Sequence, residues 1–77
     1  MSNRKAHGPA IRAIREALGV TQDTLAVSCD ISASHMSRVE SGEKQPSEKL
    51  VSAICLRLGV KKDAITYPVE SKKGLAA

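Results

Sequence analysis

Between Ser28 and Arg38 the chain carries Cys29, Asp30, His35 and Arg38. These are residue types able to bind a metal, supply a nucleophile or touch a charged partner. A metal site needs further ligands at short paired spacing, and neither CxxC nor a comparable His pair occurs. A nucleophilic cysteine needs an exposed thiolate with a base beside it. Cys29 is expected to close a helix facing the core, so neither metal binding nor catalysis is expected, and no motif calls for a cofactor or a small-molecule ligand. Cys29 and Cys55 read as reduced core residues. What remains is a helix built to touch something, with Arg38 as its charged contact and His35 as a solvated surface residue that can reach a phosphate.

A chain of 77 residues supports one domain with one small core. The formal net charge of +4 is placed unevenly. Arg4, Lys5, Arg12 and Arg15 all precede the first acid, Glu16. Such asymmetry favours a polyanionic partner, although a small imbalance also fits a role in solubility. Tyr67 is the single aromatic residue, whereas modules that stack single-stranded bases need several. A nucleic-acid partner is therefore expected to be a duplex. No apolar run is long enough for a membrane span and no signal pattern opens the chain, so a cytoplasmic protein is expected.

The elements that position these residues read as helices. Pro9 sits in a first turn, and Ile11, Ile14 and Leu18 follow at helical steps before Gly19. Thr21 caps a second helix from Gln22 to about Cys29 with Leu25, Ala26 and Cys29 inward. Ser32 caps a third, ending near Ser41 with Met36 and Val39 inward, and Gly42 supplies a left-handed stop. Ser47 and Glu48 open a fourth with the stripe Leu50, Val51, Ile54, Cys55 and Leu58, closed by Gly59. The segment VKKDAI makes one more short turn before Tyr67 and Pro68. No alternating strand pattern is found. Lys49, Lys61 and Lys62 read as solvated, and 68–77, with Lys72 and Lys73, as a flexible tail. The domain is then 8–67, preceded by a flexible basic arm, 1–7.

Helices two and three are joined by about two residues, and Ala26 projects almost nothing, which permits a close helix-turn-helix crossing. In that arrangement Leu25, Ala26, Cys29, Ile31, Met36 and Val39 lie inside, and Ala33, Ser34, Ser37 and Arg38 share an outward face. Such a face suits a major groove, where short side chains allow close approach and Arg38 can reach guanine O6 and N7.

With IRAIREALGVTQDTLA, ISASHMSRVESGEKQPS and LVSAICLRLGV on one chain, the sequence resembles the Cro/repressor, or XRE-like, helix-turn-helix family over about Ile11 to Ile65. The resemblance implies an all-α, compact five-helix, lambda-repressor-like DNA-binding domain. It also implies site roles: Ala33, Ser34, Ser37 and Arg38 as base-reading positions, and Thr21 and Gln22 as phosphate contacts at the start of helix two. His35 is grouped with the phosphate contacts, and Ser41, Gly42, Glu43 and Lys44 match a loop along the sugar-phosphate backbone. Arg15 and Glu40 match a structural pair, which removes Arg15 from the DNA contacts. Two departures stand out. Asp30 occupies a position that is usually a glycine with positive φ, and the reading face lacks the glutamines common in phage repressors. The expected function is a small regulator occupying a double-stranded operator as a homodimer, its partner surface formed by the end of helix four, VKKDAITYP and the tail. An antitoxin or restriction-modification controller acting partly through a protein partner is the alternative.

Overall fold

The computed structural model of the chain describes residues 4–69. Five helices pack around one core: α1 (Gly8–Ala17), α2 (Gln22–Ser28), α3 (Ala33–Ser41), α4 (Glu48–Leu58) and α5 (Lys62–Ile65). Their starts follow from local hydrogen-bond chemistry. The hydroxyls of Thr21, Ser32 and Ser47 accept from the backbone N–H three residues on, at 3.1, 3.0 and 3.1 Å, satisfying donors that the first turn leaves free. Helix α1 instead takes His7 as its cap, the Nδ1 atom accepting from the Ala10 N–H at 3.0 Å. Ile11, Leu25, Met36, Ile54 and Ile65 are fully buried and join one residue from each helix into the core.

The structure corrects two expectations. Leu18 continues the helical steps of Ile11 and Ile14 in the sequence, but it is the C-cap of α1 and 55% exposed. Arg15 occupies the buried side at that level, because a carboxylate on α3 meets it there. Strands also occur where none was expected: β1 (Arg4–Ala6) pairs antiparallel with β2 (Thr66–Pro68), with Lys5 opposite Tyr67. Arg4, Lys5 and Ala6, read as part of a flexible arm, are thus held in a ribbon, and Pro68, read into the tail, ends its second strand.

Further contacts explain why so short a ribbon forms. Arg4 Nε donates to Thr66 Oγ1 at 2.8 Å and its Nη2 to the Thr66 carbonyl at 3.2 Å. The His7 N–H donates to the Ile65 carbonyl at 2.7 Å, and the His7 and Tyr67 rings meet edge to face, 6.0 Å apart. Lys72 and Lys73, the rest of the expected tail from 70 on, and 1–3 of the expected arm lie outside the described residues. No helix among the described residues is long and apolar enough to cross a membrane.

Candidate nucleic-acid interface

The exposed face of α3 depends on how α2 is seated against it. Ala26 is completely buried, and its carbonyl accepts from the N–H groups of Cys29 and Ile31 at 3.1 and 3.0 Å, which closes α2 and folds the chain back. Between the caps Cys29 and Ser32 lie only Asp30 and Ile31. Asp30 adopts φ +61°, the one non-glycine with positive φ among the described residues. The turn requires the left-handed conformation, and Asp tolerates it better than most side chains. Gly42, at φ +85°, ends α3 and turns the chain into the following loop.

Ser34, Ser37 and Arg38 are exposed and lie within two turns of α3, and Ala33 beside them is half-buried. Thr21 is exposed at the start of α2, and Ser41, Gly42, Glu43 and Lys44 are exposed beyond the end of α3. No ion pair among the described residues engages Arg38 or Lys44, since the pairs formed are Arg4–Asp63, Arg12–Glu16, Arg15–Glu16 and Arg15–Glu40. Both cations are available to an outside anion. The loop is folded back on α3: the N–H groups of Glu43 and Lys44 donate to the Arg38 carbonyl at 2.9 and 3.1 Å.

Beneath this surface Arg15 and Glu40 are 7% and 4% exposed, so both charges are removed from water and must satisfy each other. Arg15 Nε donates to Glu40 Oε2 at 2.7 Å and Nη2 to Oε1 at 3.1 Å, a two-point fork. Nη1 donates to the Val20 carbonyl at 2.8 Å. Donating to the Glu40 carboxylate raises the Arg15 pKa above its ordinary value; burial opposes this, and the charges of Glu40 and Glu16 add to it. The pair ties α1 to the last turn of α3 and thereby fixes the roll of the exposed face.

Two expected phosphate contacts sit differently from the expectation. Gln22 is half-buried and its Nε2 donates to Glu40 Oε1 at 3.0 Å, so its side-chain amide extends the buried network. His35 is not a solvated surface residue. Its Nε2 is buried without a hydrogen-bond partner among the described residues, in a cleft lined also by Ile31, Leu50 and Ala53. The third position of α3 points toward α4 while Ser34 and Ser37 point away, which separates His35 from the outward row.

Sequence reasoning missed Gly8 and Gln45. A Cβ on Gly8 would meet the Val39 carbonyl oxygen and would lie 2.5 Å from that of Glu40, so the start of α1 rests directly on the end of α3. Gln45 Oε1 accepts from the Ala6 N–H at 2.7 Å. The buried Gly8 was legible only as a glycine ahead of Pro9. Nothing local marked Gln45.

Among the described residues no cluster of three or more His, Cys, Asp or Glu is arranged to hold a metal. Cys29 and Cys55 are free and buried, and burial pushes both thiols up, against the opposing charges of Arg57 and Lys62 respectively.

A family model described as a helix-turn-helix domain matches residues 8–66. Comparison with curated proteins gives no match. Among solved structures, the clp gene regulator ClgR from Corynebacterium glutamicum is 34% identical with a TM-score of 0.72, covering 74% of this chain and 62% of its own. The present chain thus spans less than two thirds of that ClgR chain. The restriction-modification controller protein C.AhdI from Aeromonas hydrophila is 26% identical with a TM-score of 0.71, covering 74% of this chain and 86% of its own. The P22 c2 repressor, solved with a synthetic operator, is 28% identical with a TM-score of 0.69, covering 73% of this chain and 85% of its own.

Proposed function

Since the chain belongs to the Cro/repressor-type helix-turn-helix family, we propose that it binds a double-stranded operator with α3 in the major groove and regulates transcription by occupying that site. The observation that carries this reading is the unpaired Arg38 beside Ser34 and Ser37 on a face held outward by the buried Arg15–Glu40 fork. Ala33, Ser34, Ser37 and Arg38 read base edges; Arg38 takes guanine O6 and N7 through its two-pronged donor set, and Ala33 meets a thymine methyl. Thr21, the Gln22 backbone, Ser41, Gly42 and Lys44 take phosphates, which supply affinity and register but no sequence information. His35 is left out, its Nε2 being turned inward. The chemistry is recognition rather than catalysis.

One module of this size buries limited surface on DNA, so two copies act on half-sites about one helical turn apart. Leu56, 85% exposed near the end of α4, and the exposed Tyr67 of β2 supply apolar surface for that homodimer. Selection of bound duplexes from a random pool, followed by footprinting, tests both statements. An enriched inverted repeat protected by two chains is expected. A pool that stays random at low salt would remove the operator reading, and one chain on a single half-site would remove the dimer.

The likeness to C.AhdI favours a second reading, a controller within a restriction-modification system. It uses the same DNA-binding face, and an adjacent restriction-enzyme gene distinguishes it from a free-standing repressor.

A further inference from the structure

We propose that Gln45 is a positioning residue: its side chain clasps the N-terminal strand and so holds the phosphate-contacting loop in its DNA-ready shape. The inference rests on the duplex-binding reading above for what the loop touches, but the clasp itself is a feature of this chain's own contacts.

The loop from Ser41 to Lys44 is anchored on one side only by α3. The Gly42 N–H donates to the Val39 carbonyl at 3.2 Å, those of Glu43 and Lys44 to the Arg38 carbonyl, and the Glu43 N–H also to Ser41 Oγ at 3.3 Å. On the other side the chain must run through Gln45 and Pro46 to the Ser47 cap of α4. Gln45 is exposed, yet its Oε1 accepts from the Ala6 N–H at 2.7 Å, across 39 positions of sequence. Ala6 lies in β1, which is fixed to β2 by the ladder and by Arg4 on Thr66, and the next residue, His7, is bonded to the Ile65 carbonyl. The downstream end of the loop is thereby tied to the ribbon that joins the two ends of the domain.

The physical consequence concerns entropy. A loop already held in its bound shape loses less conformational freedom when it meets a phosphate, so binding is tighter without any new contact. Because phosphates are common to every duplex, the gain is independent of sequence. One intramolecular hydrogen bond at an exposed site sets its size at roughly three- to tenfold in affinity.

Two substitutions cut the clasp from opposite ends. Gln45→Ala removes the acceptor. Ala6→Pro removes the donor and leaves the Gln45 side chain in place; proline is tolerated on an edge strand where the N–H faces away from the ladder, and Lys5, already extended in β1, suits a following proline. The measurements are nitrogen-15 relaxation of the Ser41–Lys44 amides and titration of each protein with its selected duplex and with a duplex of unrelated sequence, both well below the unfolding midpoint.

The expected result is that both variants loosen the loop amides and weaken binding to both duplexes by the same roughly three- to tenfold factor, leaving the preference between them unchanged. The double variant should be no weaker than either single one. Loop amides as rigid as in the unsubstituted chain would overturn the proposal. So would full affinity in Ala6→Pro alongside weakened Gln45→Ala, since Gln45 would then be touching DNA itself. If the unsubstituted chain binds neither duplex, the operator reading fails, and the relaxation data alone decide whether the clasp orders the loop.

Discussion

Removing the Glu40 carboxylate leaves Arg15 charged, 93% out of water and without its fork. Unit charges about 4 Å apart near a protein surface attract by roughly 4 kcal/mol, and desolvation of both groups offsets much of that while the pair is intact. Once one partner is gone only the desolvation is left, so Glu40→Ala is expected to cost about 3–5 kcal/mol. A chain of 77 residues has roughly 4–12 kcal/mol in total, and the midpoint should fall by about 12 °C or more. Glu40→Gln retains an oxygen for Arg15 Nη2 and Gln22 Nε2 but turns an NH2 group toward Arg15 Nε, which gives a loss of about 1.5–3 kcal/mol. The double variant Arg15→Met with Glu40→Leu removes both charges together. It also leaves the Val20 carbonyl and Gln22 Nε2 without these partners, and is expected to stay within about 2 kcal/mol of the unsubstituted chain. Urea unfolding followed by far-ultraviolet circular dichroism gives all three values. A Glu40→Ala cost below about 1 kcal/mol, or a double variant as unstable as Glu40→Ala, would refute the account of the fork.

Asp30→Gly should relieve the left-handed turn and raise stability by about 0.5–1 kcal/mol, read as a midpoint a few degrees higher; an unchanged or lower midpoint would mean that Asp30 is unstrained. Gly8→Ala should cost about 1–3 kcal/mol, because the new methyl meets backbone oxygens that cannot swing aside, and chemical shifts of Val39 and Glu40 should move with it. The raised thiol pKa values of Cys29 and Cys55 bear on alkaline pH. Above the ordinary value of 9.0 the unfolded chain loses these protons while the native chain keeps them, so stability should decline as pH rises from there. Native protein should accordingly react with a thiolate-directed reagent far more slowly than protein in urea, and equal rates would contradict the burial.

Much of the helical order was written locally. Thr21, Ser32, Ser47, Gly42 and Gly59 mark helix ends by side-chain and backbone chemistry that operates within a turn, and Ala26 signals the close crossing by its size. The ribbon was not legible because three-residue strands are too short to show alternation, and Pro68 reads as a stop whether or not a strand precedes it. Leu18 fits a helical stripe but follows the last turn of α1, where the chain has already left the core. The inward turn of Gln22 and His35 depends on Glu40 and α4, which lie far along the chain, so residue type alone gave only their capacity to bind phosphate. Gly8 and Gln45 act through contacts with distant backbone, which leave no trace in spacing.

The central claim, that the outward face of α3 reads sequence in a duplex, is met most directly by the binding preference of Arg38→Ala. Affinities for the selected duplex and for versions with each base pair changed should show a loss of roughly 1–3 kcal/mol on the selected site, with discrimination relaxed at one guanine and retained elsewhere. A variant that keeps both the affinity and the full base preference of the unsubstituted chain would contradict it.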